Sequence, residues 1–144
     1  MIQSFEYYER KGLVKSTKIN PDIAKSLMEK AETRLNKIAR NNLLDKESSI
    51  NFEEIYEALR ESSQSIMQLR GFKPYSHEVV IAFLKKHNVL PIEDINILDK
   101  YRILRNKSVY EAEEISLDKC KEALVFAKRI VPKVKAMFKT ISKV

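Results

Sequence analysis

Glycine and proline are scarce, at two and four in 144 residues, and no clean alternation of apolar and polar residues marks a strand. A fold rich in turns and strands is therefore not expected. Cysteine occurs once, at Cys120, which excludes an intrachain disulfide and fits a reducing cytosol better than secretion. That cysteine and two distant histidines, His77 and His87, cannot build a Cys/His metal site within one chain. No run approaches the roughly twenty apolar residues of a membrane span. The opening MIQSFEYYERKGLVK is charged too early and too often for a signal peptide. A cytoplasmic protein that needs no membrane, metal or cofactor is expected.

What the chain does have is helical spacing. With 44% hydrophobic and 33% charged residues it has an ordinary globular composition, and its length suits one domain, residues 1–144, with a core of its own. Residues 1–18 mix aromatic and basic side chains without a long period and read as an N-terminal arm or short helix packed on the body. Asn20-Pro21-Asp22 is a strong helix start, with Ala24, Leu27, Ala31, Leu35 and Ile38 on the inner face. After a linker over 45–50, Asn51 and Glu54 resemble a capping box for a second helix carrying Phe52, Ile55, Leu59, Ile66 and Leu69. Ser62 and Ser63 fall near that stripe, which suits a close approach to a neighbour or a polar border, and Gly71 stops the helix. A third helix opens at Ser76, with Val79, Val80, Phe83 and Leu84 inward, and ends at Asn88 and Pro91. A fourth begins near Pro91. The fifth follows Ser116 on the seam Leu117, Cys120, Leu124, Ala127, Val131, Val134, Phe138 and Ile141, with Pro132 expected to bend it. The expected fold is all-α, an up-and-down bundle of four to five helices.

The stretch Leu98 to Ile115 departs from this plain pattern. On a helix, Leu98, Arg102, Arg105 and Val109 share one stripe, and Arg102, Asn106 and Tyr110 lie on an adjacent line. A guanidinium carries five donors and keeps its charge, so its burial calls for an anionic partner. That partner is either an outside phosphate or an acid of the same chain such as Asp99 or Glu111, with the arginines snorkelling at the rim. His77 stands in a helix first turn, where a surface histidine is the commoner explanation, and His77-Glu78 lacks the second histidine of a zinc-protease motif. Cys120 lies on the seam and reads as a small core residue, not a nucleophile.

Net charge is +7, which suits a polyanionic partner and equally suits simple solubility. Lys128, Arg129, Lys133, Lys135, Lys139 and Lys143 run along the last helix with no acid among them. Without an interleaved aromatic to stack a base, this face reads first as a solvated helix end.

The run Arg105-Asn106-Lys107-Ser108-Val109-Tyr110, preceded by Leu98-Asp99-Lys100-Tyr101-Arg102, resembles the signature region of HEPN domains, the higher-eukaryote and prokaryote nucleotide-binding helical domains. Their motif is an arginine, a polar residue, three variable residues and a histidine, late in a bundle of four to five helices. Lys11-Gly12-Leu13-Val14 with Asn20-Pro21-Asp22, and Gly71-Phe72-Lys73-Pro74-Tyr75-Ser76-His77, are similar to the family's opening and middle regions.

The resemblance implies an RNA- or nucleotide-binding protein acting as a homodimer, with Arg102, Arg105, Asn106 and Tyr110 lining a groove between chains. In members that cut RNA it implies a metal-independent endoribonuclease in which the 2′-hydroxyl is the nucleophile. Carried over, Arg105 would neutralise the scissile phosphate and Asn106 would orient it. Tyr110 occupies the histidine position. An unperturbed tyrosine near pKa 10 stays neutral at pH 7 and is a poor proton carrier there. The motif is thus degenerate, and a binder without efficient catalysis is expected. A weak ribonuclease toxin, or the toxin-like half of a pair with a minimal nucleotidyltransferase that modifies Tyr110, are the alternatives. A helical bundle with no ligand is the plainest one.

Overall fold

A computed structural model describes residues 2–142. Lys143, the last cation of the basic run, lies outside the described residues. Among those described, six helices and one pair of three-residue strands follow one another: α1 (Phe5–Arg10), β1 (Val14–Ser16), α2 (Pro21–Arg40), α3 (Ser48–Leu69), β2 (Phe72–Pro74), α4 (His77–Lys86), α5 (Ile92–Glu111) and α6 (Leu117–Ser142). The chain is an all-α bundle, and no helix is long and apolar enough to cross a membrane.

Capping chemistry sets most of the boundaries. Asn20 Oδ1 accepts from the Ile23 N–H at 3.1 Å, with Pro21 in the first turn. Ser76 Oγ accepts from Val79 N–H at 3.3 Å and starts α4. Ser116 Oγ accepts from Lys119 N–H at 3.1 Å, just before α6. On α2 the inner face is Ala24, Met28, Ala31, Leu35 and Ile38; Met28 takes the deep place expected for Leu27, which is only half-buried.

The expected capping box at Asn51 is not used. The 45–50 segment is a 3₁₀ turn, Asp45–Glu47, and α3 already begins at Ser48. Ser48 Oγ donates to Asp45 O at 2.8 Å and lies 2.6 Å from Ile115 O, while Ser49 Oγ accepts from Ile115 N–H at 2.8 Å. These bonds tie the start of α3 to the α5–α6 connection, which local spacing cannot reveal.

Helix α3 is the axis of the bundle, packed along both α2 and α6. Ser62, Ser63 and Ser65 are fully buried, and each hydroxyl donates to a carbonyl of its own helix: Leu59 O at 3.0 and 2.8 Å, and Ser62 O at 2.6 Å. Small side chains with internally satisfied hydroxyls let helices approach without orphaning a polar group. Glu61, 2% exposed, is held by Arg34 Nε at 3.0 Å and Lys30 Nζ at 3.5 Å, an ion cluster between α2 and α3. On α6 the buried stripe is wider than the expected seam: Ala123, Phe126 and Ile130 join Cys120, Leu124, Ala127, Val131 and Val134, whereas Leu117, Phe138 and Ile141 are only half-buried. Pro132 lies on the exposed side within α6.

The strands were not expected. Gly71 ends α3 with φ +80°, and Thr17 N–H donates to Gly71 O at 2.8 Å, which brings the N-terminal arm alongside. β1 and β2 then pair antiparallel with Lys15 opposite Lys73. The 1–18 arm is thus α1 plus β1, fastened by Tyr8, whose buried hydroxyl donates to Glu78 Oε2 at 3.1 Å.

Candidate functional site

The arginine stretch forms the C-terminal half of α5, and one flank of it faces α3 and the start of α4. Ser108 Oγ, buried, donates to Glu53 Oε2 of α3 at 2.8 Å and fixes the rotation of this half-helix. The two arginines then have different fates. Arg102 is 7% exposed; its Nε donates to Asp99 Oδ1 at 2.8 Å, and its Nη1 lies 3.8 Å from Glu78 Oε1. A guanidinium held by two carboxylates of its own chain is an internal strut between α5 and α4.

Arg105 is half-buried and forms no ion pair with an acid among the described residues. Its Nη1 donates to Asn106 Oδ1 at 3.2 Å, and its guanidinium carbon lies 5.9 Å from the centroid of the Tyr110 ring. Asn106 is half-buried, and Tyr110 is 75% exposed. Glu111, considered as an internal partner for the arginines, is exposed and pairs with neither. Three of the four site residues read from the sequence therefore cluster at one open end of α5, and Arg102 stands behind them.

Two residues that spacing did not bring to this stretch feel the Arg105 charge. His77, in the first turn of α4, stacks on Tyr56 of α3 with ring centroids 5.8 Å apart and planes 11° from parallel. Its Nδ1 lies 3.4 Å from the Tyr56 hydroxyl. Burial, then the nearby Arg60 and Arg105 charges, push the His77 pKa below its ordinary value, against the opposing pull of Glu57. The ring is consequently neutral at pH 7. Burial pushes the Tyr56 hydroxyl up, so the phenol stays protonated. Arg60 is itself occupied by Glu57 and Gln64. An anion bound at Arg105 would thus meet a guanidinium with no acid partner among the described residues, an amide and an exposed phenol.

Other cations of the chain are differently disposed. On α6, Arg129 binds Asp94 through both terminal nitrogens at 2.9 and 3.2 Å, and Lys135 binds Glu32 at 2.8 Å. Acids from α5 and α2 thereby neutralise part of the basic run, in keeping with a solvated helix face. Cys120 is fully buried and burial raises its thiol pKa, as befits a core side chain. A hollow of about 500 Å³ lined by Ile97, Tyr101, Leu104, Val125 and Phe126 lies on the other flank of α5, and Arg105 takes no part in it. No group of three His, Cys, Asp or Glu side chains among the described residues is arranged to hold a metal ion.

Comparison of the sequence with protein-family models and with curated proteins gives no match. The functional reading therefore rests on the residues themselves.

Proposed function

We propose that this chain is a HEPN-type RNA- or nucleotide-binding protein with a degenerate ribonuclease motif, Arg105-Asn106-x3-Tyr110, in which Arg105 receives a phosphate. The reading rests on Arg105: a half-buried guanidinium without an acid partner among the described residues, oriented by Asn106, keeps donors for an outside anion. Two copies meeting at this end of α5 would bring both Arg105 side chains to one groove, and the exposed Tyr110 hydroxyl would be within reach of a partner nucleotidyltransferase. Titration of a nucleoside monophosphate into wild type and Arg105→Ala, followed by calorimetry, tests the seat. Loss of binding by a folded variant supports it; unchanged affinity eliminates it.

A second reading, a slow metal-independent ribonuclease, is favoured by one observation: His77 is held on Tyr56 with Nδ1 3.4 Å from the phenol oxygen, within the field of the Arg105 charge. In the tautomer whose Nδ1–H points to the Tyr56 oxygen, Nε2 can take the proton of an RNA 2′-hydroxyl as that oxygen attacks phosphorus. The bond to O5′ then breaks, and O5′ leaves with a proton returned from the imidazolium. A 2′,3′-cyclic phosphate and a 5′-hydroxyl result. Histidine thus supplies from α4 the acid–base group that Tyr110 cannot supply from α5.

A further inference from the structure

The loop between β2 and α4 carries a second feature that the Arg105 seat does not use. Tyr75 follows β2 directly, and its N–H donates to Leu13 O at 2.8 Å, so the ladder continues for one more residue. Side chains alternate along a strand, which places Tyr75 on the same face as Lys73, and Lys73 is the register partner of Lys15. All three are exposed, Tyr75 by 52%. Lys15 Nζ lies 5.4 Å and Lys73 Nζ 5.5 Å from the Tyr75 ring centroid. Like charges directly opposite one another disfavour strand pairing. Neither lysine forms an ion pair with an acid among the described residues, unlike Arg129 and Lys135 on α6. Two cations over one exposed ring, neither paired with an acid among the described residues, set charges for phosphates beside a π-face that a base can share. On the basic run of α6 the ring beside Arg129, Phe126, is buried and offers no face to a base.

We propose that Tyr75, Lys15 and Lys73 form a stacking platform for single-stranded RNA, two residues upstream of His77. This deepens the reading of the chain as an RNA binder and rests on it. The platform names the ligand class: a chain of several unpaired nucleotides, one base of which lies on Tyr75 while Lys15 and Lys73 meet its phosphates.

The probe is a labelled 2′-O-methyl oligouridine decamer, which has no 2′-hydroxyl to cleave itself, followed by fluorescence anisotropy; uridine monophosphate serves as the short ligand. Tyr75→Ala should weaken decamer binding about 5- to 100-fold, the range for loss of one stacked base, and leave monophosphate binding as in wild type. Tyr75→Phe keeps the ring and should bind the decamer like wild type. The double variant Lys15→Gln/Lys73→Gln should lower the slope of log affinity against log salt by about 1.4. Decamer binding by Tyr75→Ala equal to wild type overturns the platform, as does a Tyr75→Phe defect as large as that of Tyr75→Ala. If Arg105→Ala keeps full affinity while Tyr75→Ala loses it, the platform stands and the phosphate seat falls. Absence of decamer binding by wild type overturns the platform, and absence of monophosphate binding by wild type overturns the seat.

Discussion

His77 and Tyr56 lie face to face, 11° from parallel, with Nδ1 3.4 Å from the phenol oxygen, although 21 residues separate them. The stack joins the first turn of α4 to the middle of α3 and removes the imidazole from much of its water. A cation formed there would lose hydration and face Arg60 and Arg105.

That environment has a consequence for stability. The folded pKa of His77 lies below the unfolded value of about 6.5, so as pH falls below that value the unfolded chain binds a proton before the folded chain does. Stability is therefore full above about pH 6.5 and declines on acidification through the folded pKa. His87, also lowered by burial and Lys86, acts in the same window. His77→Phe should keep an aromatic stack and flatten part of the slope. Urea unfolding at pH 7.5 and 5.5 checks this; an equal loss in wild type and His77→Phe would show that the imidazole is not the responsible group.

If His77 also moves protons, it should be separable from Arg105. In EDTA, wild type would convert labelled RNA slowly to 2′,3′-cyclic phosphate ends, and His77→Phe would reduce the rate by roughly 10²–10⁴ without loss of RNA binding. Arg105→Ala would lose binding and cleavage together. Absence of cyclic phosphate products at high protein concentration leaves the protein a binder.

The ion cluster on the other side of α3 should matter more than ion pairs at the surface. Arg34→Ala leaves Glu61, 2% exposed, with only a lysine amine at 3.5 Å. Stripping a partner from a buried carboxylate costs about 3 kcal/mol. Lys25→Ala breaks an exposed pair with Glu29 at 3.9 Å and should change stability by less than about 0.5 kcal/mol. Chemical denaturation of the two variants side by side decides it.

Gly71 and Gly12 offer a similar contrast. Both have positive φ, +80° and +72°. A Cβ at Gly71 would stand 2.9 Å from Thr17 O, the carbonyl beside the strand pair, whereas a Cβ at Gly12 meets nothing within 4 Å. Gly12→Ala should cost about 1 kcal/mol of backbone strain. Gly71→Ala carries that strain plus the clash, and should reach about 3 kcal/mol and loosen the β1–β2 pair. Equal melting temperatures for the two would refute the steric part.

Much of the bundle could be read from local chemistry. Asn20-Pro21, Ser76 and Gly71 act at the positions where their side chains or backbone freedom predicted a helix end. What escaped was set by distant partners. Ser48 begins α3 early because Ile115, 67 residues on, shares its hydroxyl. The strands are three residues each, too short to show alternation, and exist because Thr17 reaches Gly71. Asp99 was a visible partner for Arg102 at helical spacing, but Glu78 was not. His77 looked like a surface residue because nothing near it in sequence announces the Tyr56 ring.

The contrast between Arg102 and Arg105 gives the most direct test of how the site is built. Both stand on α5 three residues apart, yet Arg102 is tied to Asp99 and Glu78, while Arg105 donates to Asn106, lies against the Tyr110 ring and pairs with no acid among the described residues. Removing Arg102 takes a buried guanidinium from two partly exposed carboxylates, Asp99 and Glu78, at the joint of α4 and α5, so Arg102→Ala should destabilise the protein by about 1 kcal/mol. Removing Arg105 orphans no acid, and its variant should melt close to wild type, within about 0.5 kcal/mol. In binding the order reverses: Arg105→Ala should lose the nucleotide outright, whereas Arg102→Lys, which keeps the charge of the strut, should bind nearly as wild type does. Thermal melting and monophosphate titration on the same three variants separate the roles. A stability loss at Arg105 as large as at Arg102 would mean that Arg105 too is spent on holding the bundle together, and the phosphate would have to find another seat.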